Sequence, residues 1–544
     1  MSTSITKEDI IDTSDTKKKA ETPPIQEEIY PTGAAKWILI LTAISCAILE
    51  LIDTTVVNVS LREISGNIGA TTTEIAWVIT SYSIANVIVI PLSSMLSNLF
   101  GRKVYFTASV ILFTFSSLMC GLSTSLWTLV FWRFIQGLGG GGLLSTAQSI
   151  IIGAFPPKQA STGMAIFGVG VILGPTFGPV LGGYITDNFS WHWIFFINVP
   201  VGFLAAFLSW TYVTNLAGVS KPDKIDWWGI VFLIIGIGSL QYVLEEGGTK
   251  DWFSSNEILF FFITAMIGLV AFIVRELSID FPAVNLRLYR SFNLAMGNIM
   301  NLIIGLIITG SVFIFPLFTQ VSLGWTATQT GAFMIPGAMA TAVGMIAVSR
   351  IVGGGANPKV VILIGLAMMS SFLILMSFAG PDSNSSNFFW PFILRGIGAA
   401  FMMMPILTLA VAGLKGKDLA QATGLSNMLR QLGGAIGVAL INIYLDHQNA
   451  DIKNNMVSNV SDYNSLTTER LTSFTQLFQG AGYSTDEAAQ TANMMVDGLV
   501  TKQQMLLSYD HGFMMLGLTV LLCTPVILLI KYKKGEKLEA VSDH

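Results

Sequence analysis

The chain has 544 residues, 52% of them apolar and 11% charged, with a formal net charge of −4. A soluble protein carries about a quarter charged residues, so this balance excludes a soluble globular protein, and nothing in it favours a nucleic-acid partner. Cys46, Cys120 and Cys523 all fall in apolar runs and His192, His447, His511 and His544 are scattered, which speaks against a disulfide framework and against a metal centre.

Residues 1–33 are polar, and 1–36 read as a cytoplasmic, disordered tail. They contain no apolar core of a signal peptide, so the first span is expected to direct insertion. Fourteen apolar runs follow, at 37–60, 75–97, 104–121, 126–154, 162–185, 193–214, 226–245, 256–275, 294–319, 329–349, 359–380, 388–413, 419–445 and 510–531. Each is long enough to cross about 30 Å of hydrocarbon as a helix. Lys and Arg test the count, because they favour the cytoplasmic side. With the N-terminus inside, the inner connections hold Arg102, Lys103, Lys158, Lys221, Lys224, Arg275, Arg287, Arg290, Arg350, Lys359, Lys415 and Lys417. The outer short connections hold only Arg62 and Lys250, and Lys531, Lys533, Lys534 and Lys537 place the C-terminus inside.

The first span carries Glu50 and Asp53 on one helix face. An ionised carboxylate at mid-bilayer costs on the order of 3 kcal/mol, so two together are not expected both to stay charged. A group that exchanges a proton near working pH is what proton coupling needs. The alternative is structural, with Asp53 a hydrogen-bond acceptor and Glu50 paired to an arginine. Arg133 in the fourth span is the natural counter-charge, with Gln136 one turn on and the run Gly139–Gly142 behind it. Arg395 and Arg430 are intramembrane cations of the second half without an obvious carboxylate mate.

The turn between spans two and three contains Gly101, Arg102 and Lys103, read as a tight turn and a headgroup anchor. In the fifth span Gly170, Gly174, Gly178 and Gly182 recur every fourth residue beside Pro175 and Pro179. In water that run would break a helix, whereas in a membrane it lets two backbones touch. Arg133 precedes the pair Thr162-Gly163 by 29 residues, and Arg395 precedes Thr423-Gly424 by 28. Spans 1–6 and 9–14 therefore read as two parallel copies of a six-helix unit, with two helices inserted between, a construction common among secondary transporters. The expected division is a bundle at 37–215, two linker helices at 216–291, a second bundle at 292–531 and a cytoplasmic tail at 532–544. Trp77, Tyr82, Phe313, Phe315, Met334, Met402, Met403 and Met404 are candidates for a binding cavity, since aromatic and thioether side chains tolerate varied partners. The long outer connection 446–509 is polar with apolar residues at helical spacing. It reads either as a loosely packed helical hairpin or as a docking surface or lid.

These motifs together resemble the major facilitator superfamily, specifically its fourteen-span drug:proton antiporters of the EmrB/QacA type, over residues 36–535. The run Leu51-Ile52-Asp53-Thr54-Thr55-Val56-Val57-Asn58-Val59 is similar to the family's first-span signature, whose acid is implicated in proton coupling. Arg133, Gln136 and Gly137 match its fourth-span motif, and Gly170, Gly174, Pro175, Gly178, Gly182 and Gly183 its antiporter motif. Residues 191–200 resemble its sixth-span entry. The chain departs at Ser94, Asn98 and Leu99, where the family carries Gly, Asp and Arg, and His192 stands where an arginine is usual. Glu50 is outside the family signature.

The expectation is an all-helical, proton-driven exporter of lipophilic or amphipathic small molecules in a bacterial inner membrane, with no cofactor and no Walker sequence. An exporter dedicated to a siderophore, fatty acid or self-made antibiotic is the rival on the same fold. An enzyme would need a clustered His, Asp or Ser constellation, a channel repeated filter loops, and a sensor a soluble output domain. The resemblance also implies a membrane-fusion adaptor and an outer-membrane channel as partners, with 446–509 the place of contact.

Overall fold

The computed structural model describes residues 31–156, 159–215, 224–380, 383, 385–411, 414, 416–458, 460 and 464–529. Most of both tails, with Lys158, Lys221, Lys415 and the basic cluster at 531–537, lies outside them. The described chain is helical, with no strand among the described residues. Its principal helices are α1 (Gly33–Ile68), α2 (Trp77–Phe100), α3 (Arg102–Gly121), α4 (Leu126–Gly153), α5 (Ala160–Asn188), α6 (Asn198–Tyr212), α7 (Trp227–Glu246) and α8 (Asn256–Ser278). They continue as α9 (Phe292–Leu317), α10 (Ala327–Gly353), α11 (Pro358–Met376), α12 (Ser385–Val411), α13 (Gly416–Val457), α14 (Ser465–Gly480) and α15 (Thr485–Leu522).

Among the described residues thirteen helical stretches are long and apolar enough to cross a membrane, and each matches an expected span. The remaining expected span is α4, a 28-residue helix outside that set. Its four consecutive glycines, Arg133 and two glutamines dilute its hydropathy. Almost every residue from Gln136 to Ile152 is buried in the bundle. Outward-facing Phe203, Phe207, Ile267, Val343, Phe378 and Trp390 are all more than 60% exposed, a surface that only lipid would solvate well.

Helix ends follow local chemistry. Gly69 closes α1 in the left-handed region, its N–H on the Ser65 carbonyl. Thr326 and Gln329 form a capping box at the start of α10, as Ser484 and Glu487 do for α15. That second box starts a helix well ahead of the expected last span. α15 begins at Thr485, not near 510, and breaks at Cys523, with a short turn Thr524–Leu528 beyond. Likewise α13 runs on through Val457 for 42 residues instead of ending near 445. The segment 446–509 is thus mostly helix continuous with membrane spans. Hydropathy locates the edge of the lipid, and no proline or cap ends the helix there.

The glycine ridge of α5 lies on α1. A Cβ at Gly170 would meet Ile44, at Gly174 the Leu51 side chain at 2.5 Å, and at Gly182 the Val56 backbone at 3.0 Å. The other side of α5 meets α10, where a Cβ on Gly331 would lie 2.9 Å from the Val180 nitrogen. One apolar cluster joins helices of the two halves near the Arg102 end, from Leu39, Ile150 and Met164 to Met345, Val352, Leu407 and Ala422. At the opposite end, a cluster around Val57, Leu129 and Trp191 draws on α1–α5 and the residues just before α6.

This packing predicts the effect of filling the ridge. A Cβ on Gly178 would crowd Thr55, with the Thr55 Cβ only 2.7 Å away. Gly178→Val is expected to destabilise the detergent-solubilised protein by about 1–3 kcal/mol. A lower thermal midpoint reads this out, whereas Gly66→Ala, which meets nothing within 4 Å, leaves the midpoint in place. Equal midpoints in the two variants would remove the close-contact argument.

Candidate functional site

The constellation grows from a single turn of α1. Asp53 is 1% exposed, and its two oxygens accept three side-chain donors. Arg133 Nη1 donates to Oδ2 at 2.5 Å, while Gln136 Nε2 and Asn198 Nδ2 each donate to Oδ1 at 2.9 Å. The arginine is spent in full view of its neighbours. Its Nε donates to the Val78 carbonyl at 3.2 Å, and Nη1 also reaches Gln136 Oε1 at 2.9 Å. The guanidinium stacks 4.2 Å over the Tyr82 ring, with Phe195 at 5.8 Å. Asn198 donates in addition to Ser117 Oγ at 3.1 Å, and Ser117 to the Phe195 carbonyl. Five helices, α1, α2, α3, α4 and α6, therefore converge on one ion pair.

Glu50, one turn away and 4% exposed, takes different partners. Asn86 Nδ2 donates to Oε1 at 2.9 Å, and the Leu144 N–H of α4 to Oε2 at 3.1 Å. The glycine run of α4 makes this approach feasible, because a Cβ at Gly137 would lie 2.5 Å from the Tyr82 carbonyl and one at Gly141 2.5 Å from that of Asn86. Arg430 of α13 acts on Glu50 electrostatically. Arg430 also donates to Asn427 Oδ1 at 3.1 Å, and Asn427 Nδ2 donates to Gln148 Oε1 at 2.7 Å and to Ser145 at 3.3 Å. A polar chain thereby links α4 of the first half to α13 of the second. The two acids are distinct in kind: one is ion-paired within the first half, the other is held by neutral donors and faces the second.

The remaining expected residues are placed as follows. Gly101 turns with φ 88°, and the Lys103 N–H donates to Asn215 Oδ1 at 3.0 Å while Arg102 Nε donates to the Thr214 carbonyl at 3.0 Å. The turn is thus clasped to the end of α6. Beside it a small cleft is lined by Ser93, Ser94, Ser97, Arg102, Ser145, Thr146 and Ser149. Gly183 is buried on α5, and Pro175 lies within the helix. Arg395 donates to Ser311 Oγ at 3.3 Å and lies over the Phe392 ring.

The proposed cavity side chains are not brought together. Tyr82 belongs under Arg133. Trp77 sits against Tyr242 of α7, ring centroids 5.6 Å apart. Phe315, Met334 and Met402 are packed in the core of the second half, with Phe313 against it, and Met403 and Met404 lie in the cluster that joins the halves. Sequence reasoning missed Asn86, Ser117, Asn427 and Gln148 as partners, and it passed over Asn198 inside a motif it had noticed. Their shared signal is a lone amide or hydroxyl in an otherwise apolar run, which in lipid demands a partner.

Comparison with known proteins agrees with this architecture. The profile of the Major Facilitator Superfamily matches residues 43–438. The fatty acid resistance protein FarB of Neisseria gonorrhoeae is 31% identical over 510 residues, covering 92% of this chain and 98% of that protein. The multidrug export protein EmrB of Escherichia coli K12 is 35% identical over 419 residues, 75% of this chain and 80% of its own. Among solved structures, the human organic anion transporter MFSD10 covers 90% of this chain and 99% of its own, with a TM-score of 0.57 at 13% identity, a likeness of fold. The chain is a multi-pass membrane protein of the major facilitator superfamily and belongs to its EmrB-type drug:proton antiporters.

Proposed function

We propose that this protein is a proton-coupled multidrug exporter, moving lipophilic or amphipathic small molecules out across a bacterial inner membrane by alternating access, with both termini cytoplasmic. The observation that carries the reading is the buried Asp53–Arg133 pair, with both Asp53 oxygens hydrogen-bonded, on the helix that the α5 glycine ridge grips. Protonating Asp53 would remove the charge that holds Arg133, Gln136 and Asn198 in register. Because Asp53 lies on the helix that packs against α5, and α5 packs against α10, that loosening reaches the contact between the halves. Glu50 is the second proton site, tied to the second half through Arg430. A proton moving inward supplies about 2.3 kcal/mol per 100 mV, and no cofactor takes part.

A second reading has its own support. FarB is named for fatty acid resistance and matches along nearly its whole length, which favours an exporter dedicated to a fatty acid or a related metabolite. The hairpin beyond the membrane is where an adaptor leading to an outer-membrane channel would dock. Leu466, Leu477 and Met494 there are each more than 60% exposed.

Purified protein in proteoliposomes tests the coupling. Asp53→Asn is expected to lower substrate-driven proton flux on the order of a hundredfold, with a smaller loss for Glu50→Gln, and ATP should have no effect. Unchanged coupled flux in both variants would refute the assignment, and an ATP requirement would refute the energy source. Arg133→Lys keeps the charge but cannot serve Asp53, Gln136 and Val78 together, so a loss on the order of tenfold is expected in the same assay. Full flux in that variant would mean that charge alone suffices.

A further inference from the structure

The linker helices carry a feature that the proton pathway does not use. Glu245 and Glu246 are the last two residues of α7. Glu246 is 3% exposed and accepts from Thr80 Oγ1 of α2 at 3.0 Å. Glu245 is half-buried, accepts from Gln241 Nε2 at 2.9 Å and faces Ser83 of α2. Neither carboxylate is in an ion pair among the described residues. Lys250, four residues beyond Glu246 in sequence, is taken by Glu257 at 2.8 Å and the Tyr242 hydroxyl at 2.7 Å. Two acids at a helix C-terminus add their charge to the negative end of the helix dipole, where a cation is favoured. The independent pointer is Gln241. It is 2% exposed, bonded through its nitrogen to Glu245, and its Oε1 has no hydrogen-bond partner among the described residues. Glu246 Oε2 takes Thr249 Oγ1 at 3.3 Å, so what the site lacks is a partner for Gln241 Oε1 and a positive charge beside the two carboxylates.

The surroundings define the class of cation. Trp77 of α2 and Tyr242 and Phe261 form an aromatic wall, with centroids 5.6 and 4.5 Å from Tyr242. Val243, Ile258 and Ile84 complete an apolar shell. An ammonium already rests on this wall, since Lys250 Nζ lies 5.4 Å from the Tyr242 centroid. Acceptors beside aromatic faces suit a lipophilic organic cation better than a hydrated metal ion. The site lies where α7 meets both halves, on α2 through Thr80 and near α13, whose Asn442 lies 4.0 Å from a Cβ built on Gly248.

We propose that Glu245, Glu246 and Gln241, with Thr80 and the Trp77–Tyr242 wall, form a binding site for the positively charged head of an amphipathic substrate at the seam between the linker helix and the transport halves. The assignment rests on the exporter reading and gives the inserted helices a share in substrate selection.

Equilibrium binding of tetraphenylphosphonium to the purified full chain tests it. Glu245→Gln and Glu246→Gln are expected to weaken binding by about tenfold each, Glu245→Asp to restore most of it, and Glu63→Gln, on the far end of α1, to leave it alone. No binding by the parent, or equal affinity in all variants, would overturn the site, even with the parent's substrate-driven proton flux intact. An equal loss of an uncharged lipophilic dye in Glu245→Gln would show a scaffolding role and overturn it too. So would competition by sodium chloride beyond that of choline chloride, which would mark an inorganic cation site. An altered proton stoichiometry with tetraphenylphosphonium affinity unchanged would make Glu245 a proton site instead.

Discussion

A carboxylate and a guanidinium sealed together away from water set the terms for the first half of this protein. Stripping one partner from a buried pair costs about 3–5 kcal/mol, because the survivor keeps its charge and loses its solvation. The surrounding helices must therefore supply donors. Gln136 and Asn198 fill Asp53, and Val78, Tyr82 and Phe195 occupy the guanidinium. The glycines of α4 follow from the same need, since α2 must come close enough for Tyr82 to lie under Arg133 and for Asn86 to reach Glu50. On the coupling proposed above, the pair acts less as a source of stability than as a device with two states, held shut by hydrogen bonds that a single proton would unbalance.

The two acids of α1 divide the labour by their neighbours. Asp53 answers to its own half, while Glu50 feels the charge of Arg430 from the second half, which also bonds Asn427 in the Asn427–Gln148 contact. A transporter of this kind needs its chemistry to be felt where its halves meet. Glycine packing supplies the other link, as α5 touches α1 on one side and α10 on the other. Neither link requires a long chain of displaced residues. In both, one backbone is already against the next.

Much of this was legible beforehand, for physical reasons. Runs of twenty apolar residues cannot hide in a sequence, so the membrane helices were found, and a charge in such a run is so costly that Glu50, Asp53 and Arg133 stood out. The four-residue glycine period named the contact face of α5. What escaped was information that apolarity does not encode. The edge of a hydrophobic run gave no warning that α13 and α15 continue into water, although the Ser484–Glu487 cap was readable. Asn86, Asn198 and Ser117 look unremarkable one at a time and acquire meaning only when five helices are assembled. Large aromatic and methionine side chains such as Phe315 and Met402 are equally suited to a cavity and to a core, and here they pack into the core.

The unbroken run of α13 carries a mechanical implication. At 42 residues it is a rod of about 60 Å, with Arg430 about a third of the way along it and its far end in the polar stretch beyond the expected span. A straight helix resists bending far more than it resists tilting, so a small swing about the arginine is magnified in proportion to distance along the rod. The outlying hairpin is in that sense a pointer on a lever. A protein bound to its tip would register the position of the transport halves, and by pulling on it could bias that position in return.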